Sequence, residues 1–279
     1  MPVFETLEPI TAVVDIAMGD IRIVASERSD TAVEVRPGDD SRSGDVRAAA
    51  ETRVEFDNGV LIVKGPNRQG WFGKGGAIDL TISLPVGSAV QAETGMGNIH
   101  GNGQIGSCKL KSGLGNITLD KTDESRLDTG LGNISVGLAA GLTHVSTGSG
   151  KVRITSAKGP TVIKNSNGNS WVGNAADRLQ LSTANGDIEV DRAQADVEAK
   201  TANGNIRLGE IVRGVVVLAT SHGQLSVGIR QGTAAHLDLS SSTGRVYNEL
   251  SSASGPEPTD ETVSVRARTQ AGDVVIRRA

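Results

Sequence analysis

Apolar residues recur along most of this chain at alternate positions, in pairs of short runs that meet at a glycine. Anchored on the glycine of TANGNIRL (Thr201–Leu208), equivalent glycines fall at Gly97, Gly115, Gly132, Gly150, Gly168, Gly186, Gly204, Gly223, Gly244 and Gly272. The steps between them are 18, 17, 18, 18, 18, 18, 19, 21 and 28 residues. Five residues before each glycine stand Ala92, Leu110, Leu127, Val145, Ile163, Leu181, Ala199, Leu218, Leu239 and Ala267, all apolar. Two residues after stand Ile99, Ile117, Ile134, Val152, Ser170, Ile188, Ile206, Leu225, Val246 and Val274, broken only by Ser170. Four after, most are apolar again, as at Leu119, Val136, Ile154 and Val190, and the residues between are mixed. Apolar side chains at every second position predict strands with one buried face, two per repeat, meeting at the glycine.

A near-constant step of 18 is one turn of a solenoid. Stacked turns pair their strands in parallel, and one turn cannot bury its apolar face alone, so stacking makes the core. The fold class predicted is all-β: a single-stranded parallel β-solenoid of about 18 residues per turn, right-handed by the default for parallel crossovers. The left-handed hexapeptide coil shares this period but needs an aliphatic residue every sixth position. Six beyond the Leu110 column lies the asparagine-rich column after the glycine, which excludes it.

The corner has its own pattern. Three before each glycine is a hydroxyl residue in nine of ten cases, with Asn165 the exception; one after is often asparagine, as at Asn98, Asn116, Asn133, Asn169 and Asn205. The glycines are expected to take backbone angles that a Cβ would penalise. The hydroxyls are expected to bond the turning backbone, and the amides to stack in a ladder. Calcium would need clustered acids, and this column holds only Asp187 and Asp273. No second threonine column suggests an ice-binding face.

Residues 1–90 read differently, as an N-terminal β cap continuous with solenoid repeats at 91–279. Strand patterns run over 10–16, 20–25, 32–36, 52–56, 60–64 and 77–84, with Asp57-Asn58-Gly59 as a hairpin turn. PGDDSRSGDVRAAA (37–50) reads as a polar connection, and IAMGDIR (16–22) as a degenerate early rung. A loop is inserted near 251–261, and the last strand is expected to close the far end on Arg277 and Arg278, whose charges would discourage strand addition.

Glycine is abundant at 36 residues and aromatics are scarce at 2%; the net charge of −4 gives no basic footprint for nucleic acid. The single cysteine, Cys108, permits no internal disulfide and lies in an inward column. MPVFETLEPI lacks the basic and apolar regions of a signal peptide, and no apolar run reaches the ~18 residues of a bilayer span. The expectation is a cytoplasmic chain with no membrane insertion.

The segment LTISLPVGSAVQAETGMGNI (Leu80–Ile99), followed by repeated Ser/Thr-x-x-Gly-x-Ile/Val units, resembles the putative-adhesin β-strand repeat family, a bacterial domain of unknown function. The resemblance covers nearly the whole chain, including NGVLIV (Asn58–Val63). It implies a single-stranded parallel β-solenoid and no established activity.

Catalytic chemistry finds little support. His100, His144, His222 and His236 lack partners at metal spacing, and no phosphate-cradling loop or nucleophile elbow occurs. Asp187, Glu189 and Asp191 form a small acidic cluster; Trp171 and Tyr247 share an outward column. Trp71 and Phe72, in PNRQGWFGKGG, are candidates for a partner-binding anchor, or else a plug over the core. The expectation is a scaffold that is not an enzyme, needs no cofactor, engages an unknown protein or glycan partner and self-associates through the solenoid ends. The alternative is a carbohydrate-active enzyme, a polysaccharide lyase or hydrolase, using an outward strip around 187–207.

Overall fold

A computed structural model of the chain describes residues 1–66, 76–251 and 261–279. The chain divides into two compact units, Met1–Ala140 and Gly141–Ala279.

Unit 1 opens with β1 (Val3–Glu5) and then its first rung, β2 (Thr11–Met18) and β3 (Ile21–Ser26), which meet at Gly19. The chain leaves the coil through β4 (Asp30–Pro37), α1 (Ser43–Glu51) and β5 (Arg53–Asp57). It turns into β6 (Val60–Lys64) and continues to β7 (Ile78–Pro85). Regular rungs follow: β8 (Ala89–Met96) with β9 (Ile99–Ile105), β10 (Cys108–Leu114) with β11 (Ile117–Thr122), and β12 (Ser125–Leu131) with β13 (Ile134–Ala139). One sheet has the order β1, β4, β7, β3, β9, β11, β13; the other has β12, β10, β8, β2, β6, β5. The rung pairs are parallel, whereas β1, β4 and β5 pair antiparallel.

The sequence columns are the ladders. Leu110 stands opposite Ala92 and Leu127, and Ile117 opposite Ile99 and Ile134. These side chains are buried, and each large aliphatic contributes roughly 1.5–3 kcal/mol. The IAMGDIR segment does form a rung, and the hairpin turn places Asn58 and Gly59 at φ of 47° and 76°, as the Asn-Gly signal requires.

The segment 37–50 is not simply a polar connection. Ser43–Glu51 is a helix whose Asp45 carboxylate accepts the Ala77 N–H at 3.0 Å, tying it to the entry of β7. Its sequence carries too few apolar residues to announce an amphipathic face; docking supplies what a nine-residue helix lacks alone. At the outer end of this unit Phe4 and Phe56, from different sheets, stack at 5.1 Å between ring centroids.

Unit 2 runs through β14 (Thr143–Ser149) and β15 (Val152–Ala157), β16 (Thr161–Asn167) and β17 (Ser170–Ala175), and β18 (Leu179–Asn185) and β19 (Ile188–Ala193). It continues with β20 (Val197–Asn203) and β21 (Ile206–Ile211), then β22 (Gly214–His222) and β23 (Leu225–Ile229). The last two pairs are β24 (Ala234–Thr243) with β25 (Val246–Asn248), and β26 (Thr262–Ala271) with β27 (Val274–Arg278). The sheets have the orders β15, β17, β19, β21, β23, β27, β25 and β24, β26, β22, β20, β18, β16, β14.

The final strand therefore does not close the end. β27 lies between β23 and β25, and β24 with β25 form the outer rung. Arg278 donates to the carbonyls of Arg230 and Thr233 at 3.0 and 2.9 Å and does not guard an open edge. Chain order was a poor guide because a long insertion lets a later rung slot inside an earlier one.

The corner glycines from Gly97 to Gly272 have φ between +133° (Gly168) and +157° (Gly132). A Cβ on Gly186 would run into the carbonyl of Gly168 in the neighbouring rung. Gly186→Ala should cost about 2–4 kcal/mol. Gly59→Ala has a positive φ but nothing within 4 Å, so it should cost about 1 kcal/mol. Thermal unfolding of the two variants distinguishes these; equal losses would show that the corner relaxes freely.

Candidate functional site

The corner side chains face the rung before them. Ser112, Thr129, Thr220 and Ser241 donate to the carbonyls of Gly97, Gly115, Gly204 and Gly272 at 2.8, 2.9, 3.0 and 2.8 Å. One residue past the glycine a second ladder runs outside the turn. The backbone N–H of Asn116 donates to Asn98 Oδ1 at 2.9 Å, and that of Asn133 to Asn116 Oδ1 at 2.8 Å. In unit 2 the N–H groups of Asp187, Asn205 and Gln224 donate to Asn169, Asp187 and Asn205 at 3.0, 2.7 and 2.8 Å. These polar columns hold rung to rung.

The pattern fails at one place. Asn165 Nδ2 donates to Gly150 O at 3.0 Å and also to Gly168 O at 2.9 Å. It thus occupies the carbonyl that Thr183 would otherwise bond. Thr183 Oγ1, Asn165 Oδ1 and Ser170 Oγ are left buried without partners. Buried orphans cost free energy, and a typical hydrogen bond contributes about 0.5–1.5 kcal/mol.

The outward columns carry what is left for recognition. The residue before the glycine is Met96, Leu114 and Leu131 on three successive rungs of unit 1, exposed to 44%, 40% and 55%. They are in register, with half-buried Met18 continuing the row. At about 4.8 Å per rung the row is roughly 14 Å long. In unit 2 the same column is an amide ladder: Asn185 Nδ2 donates to Asn167 Oδ1 at 2.9 Å and Asn203 Nδ2 to Asn185 Oδ1 at 2.8 Å. The signal is present in TGMGN, SGLGN and TGLGN against TANGD and TANGN, beside the stronger and invariant signal of the glycine itself.

The acidic cluster does not converge. Asp187 holds the Asn205 amide, Glu189 pairs with Arg207 at 3.5 Å, and Asp191 accepts from Trp171 Nε1 at 3.2 Å. Trp171 also lies under the Arg153 guanidinium at 3.8 Å. On the same outer face of unit 2 a shallow groove of about 440 Å³ is lined by Asn205, Arg207, Gln224, Ser226, Glu249 and Arg277, among others, with no aromatic side chain. His100 and His144 are half-buried on outward columns, and His222 and His236 are exposed. Among the described residues no group of three or more His, Cys, Asp or Glu could hold a metal ion. No helix among them is long and apolar enough to cross a membrane. Trp71 and Phe72 lie outside the described residues.

Cys108 is buried against Thr122, with Sγ 3.3 Å from Oγ1, and burial pushes its thiol up to about 11. A thiol with this environment is a small core hydrophobe, not a nucleophile.

The class that this fold defines is a parallel β-solenoid of two-strand rungs. Residues 12–277 match the Toastrack DUF4097 family, and the chain belongs to it. Among solved structures it is similar to a putative adhesin from Bacteroides fragilis, at 15% identity over 99% of this chain and 95% of that one, with a TM-score of 0.37. It is similar also to a putative lipid binding protein from Parabacteroides distasonis, at 11% identity over 100% and 95%, with a TM-score of 0.35. No curated protein matches the chain.

Asn165→Thr should return Gly168 O to Thr183 and raise stability by about 1 kcal/mol, or roughly 2–4 °C in Tm; a lower melting temperature would refute this account of the orphaned corner. For Cys108 the neutral thiol is favoured in the folded state, so its contribution is complete below the ordinary thiol value of 9.0 and is lost as pH rises toward about 11. The Tm of wild type should fall more steeply above pH 9 than that of Cys108→Ala. A disulfide reagent should label the thiol at pH 8 only after denaturation; native labelling at the rate of a free thiol would contradict the burial.

Proposed function

We propose that the chain is a non-enzymatic, adhesin-like β-solenoid scaffold that binds a protein partner along the corner row Met96, Leu114 and Leu131. The observation that carries the reading is the row itself. Three large apolar side chains stand in register on successive rungs, held outward by a backbone whose corner polar groups are already bonded. A rigid apolar row bordered by the Asn98, Asn116 and Asn133 ladder suits an apolar protein segment with a polar flank. Scarce aromatics make a sugar-stacking platform a weaker fit. The enzymatic alternative around 187–207 is disfavoured because its three carboxylates are each tied to a different neighbour.

The repeat supplies its own control. Asparagine already occupies this column at Asn167, Asn185 and Asn203, so Leu114→Asn/Leu131→Asn should fold normally. With a photo-crosslinking residue at position 131 or at position 203, a specific partner is expected to crosslink from 131 only, and its capture should drop at least tenfold in the double variant. Equal crosslinking from both positions, or capture unchanged by the double variant, would sink the reading.

A further inference from the structure

The outer edge of unit 2 is built unlike the outer edge of unit 1. In unit 1 the last strands are short: β5 has five residues with Arg53, Glu55 and Asp57 alternating along it, and β1 has three. Short charged edges are how sheets avoid adding strands. In unit 2 the last strand of one sheet is β24, ten residues long, with no lysine, no proline and no register shift against β26. Its single acid, Asp238, is held by Arg266 Nε at 3.0 Å and Arg268 Nη2 at 3.3 Å, so the acidic charge on the edge is already paired with the rung beneath.

The inward columns of this rung are also uncovered. Val246 is 45% exposed, whereas Leu225 and Val274, in the same column of the two rungs beneath, are fully buried. Leu237 and Leu239 are half-buried where Val265, Ala267, Val216 and Leu218 are buried. A ten-residue edge strand presents about five residues whose N–H and C=O point away from the sheet. Among the described residues no strand pairs with the outer side of β24, and this backbone together with the unfilled apolar columns calls for another strand.

We propose that a second copy of this chain supplies it, with β24 pairing antiparallel to β24 of the partner copy about a two-fold axis. Self-pairing in the register that sets residue 236 opposite residue 240 matches nine residues of each copy, Ala234–Ser242, whereas β24 against β25 would match only three. Head-to-tail growth is disfavoured because unit 1 ends in antiparallel, charged strands and the Phe4–Phe56 stack. The two-fold arrangement closes the assembly at two copies.

The full chain tests this by sedimentation equilibrium from low to several hundred micromolar. Wild type is expected to show a monomer–dimer equilibrium. His236→Lys/Ser240→Lys changes two exposed outward side chains of β24 and should leave the fold intact, which circular dichroism and Tm check. Across a two-fold antiparallel pair the added like charges face one another, and dimerisation should weaken at least tenfold. Glu55→Lys on β5 should dimerise as wild type does. A wild type monomeric throughout, open-ended oligomers, a dimer indifferent to the double lysine variant, or a dimer lost in Glu55→Lys would each overturn the proposal.

Discussion

The fold depends on how closely the backbone of one rung passes that of the next at the glycine corner. The carbonyl of a corner glycine faces the next rung, and outside the Asn165 corner a hydroxyl three residues before the following glycine donates to it, as Ser112 does to Gly97 and Thr129 to Gly115. That approach leaves no room for a Cβ: one on Gly115 or Gly204 would meet the preceding glycine's carbonyl. One requirement thus fixes two columns, glycine and hydroxyl. A third follows, because the residue after the glycine has its N–H directed at the previous rung's side chain, where an amide or carboxylate can accept. This explains why Asp187 substitutes for asparagine: the bond it receives, from the Asn205 N–H, needs only an acceptor oxygen.

Columns that face the core or the neighbouring rung are therefore constrained, and columns that face solvent are not. The position before the glycine shows the difference. It holds methionine and leucine on three successive rungs of unit 1 and asparagine on three successive rungs of unit 2, at Asn167, Asn185 and Asn203, on the same backbone. Both choices fit the turn, so the turn does not dictate the apolar one, and that is why the row is the proposed docking surface. The same reasoning separates Trp171 from the row. Its ring is occupied by Arg153 on one face and its N–H by Asp191, so its exposure is already accounted for within the sheet.

The repeat made the ladders readable in advance because period, register and burial are all set by the same columns. Leu110, Ile117 and their equivalents could be assigned from spacing alone. What the columns could not report were events outside them. Helix α1 is docked through the buried Ala48 and a buried carboxylate, Asp45, bonded to Ala77 far along the chain. The orphaned Thr183 depends on a second bond made by Asn165, a three-dimensional competition for one carbonyl. The placement of β27 between β23 and β25 follows from an insertion that lengthens the step to 28 residues, which reads as a loop until the register is seen. The candidate row at Met96, Leu114 and Leu131 was written in the repeat but sat beside a stronger signal.

Out-of-order rungs have a consequence for how each unit resists opening. In a solenoid wound strictly in sequence, the chain terminus is the outermost strand and frays first. Here β2 and β3 are each paired on both sides, with β6 and β7 outside them, and β26 and β27 are covered by β24 and β25. The short edge strand β1 can leave by breaking one ladder, but releasing the β2–β3 rung or the β26–β27 rung requires breaking two, so these rungs open cooperatively with their neighbours. The two outer edges differ in what this leaves behind. Unit 1 ends in short charged strands, a docked helix and an aromatic stack, features that refuse further strands. Unit 2 ends in a long neutralised strand over half-filled apolar columns, a surface that is stable as it stands because its rung is anchored through β26, yet still has backbone and apolar area to offer. A unit whose outer rung is anchored from within can keep that edge open for pairing without unravelling from it.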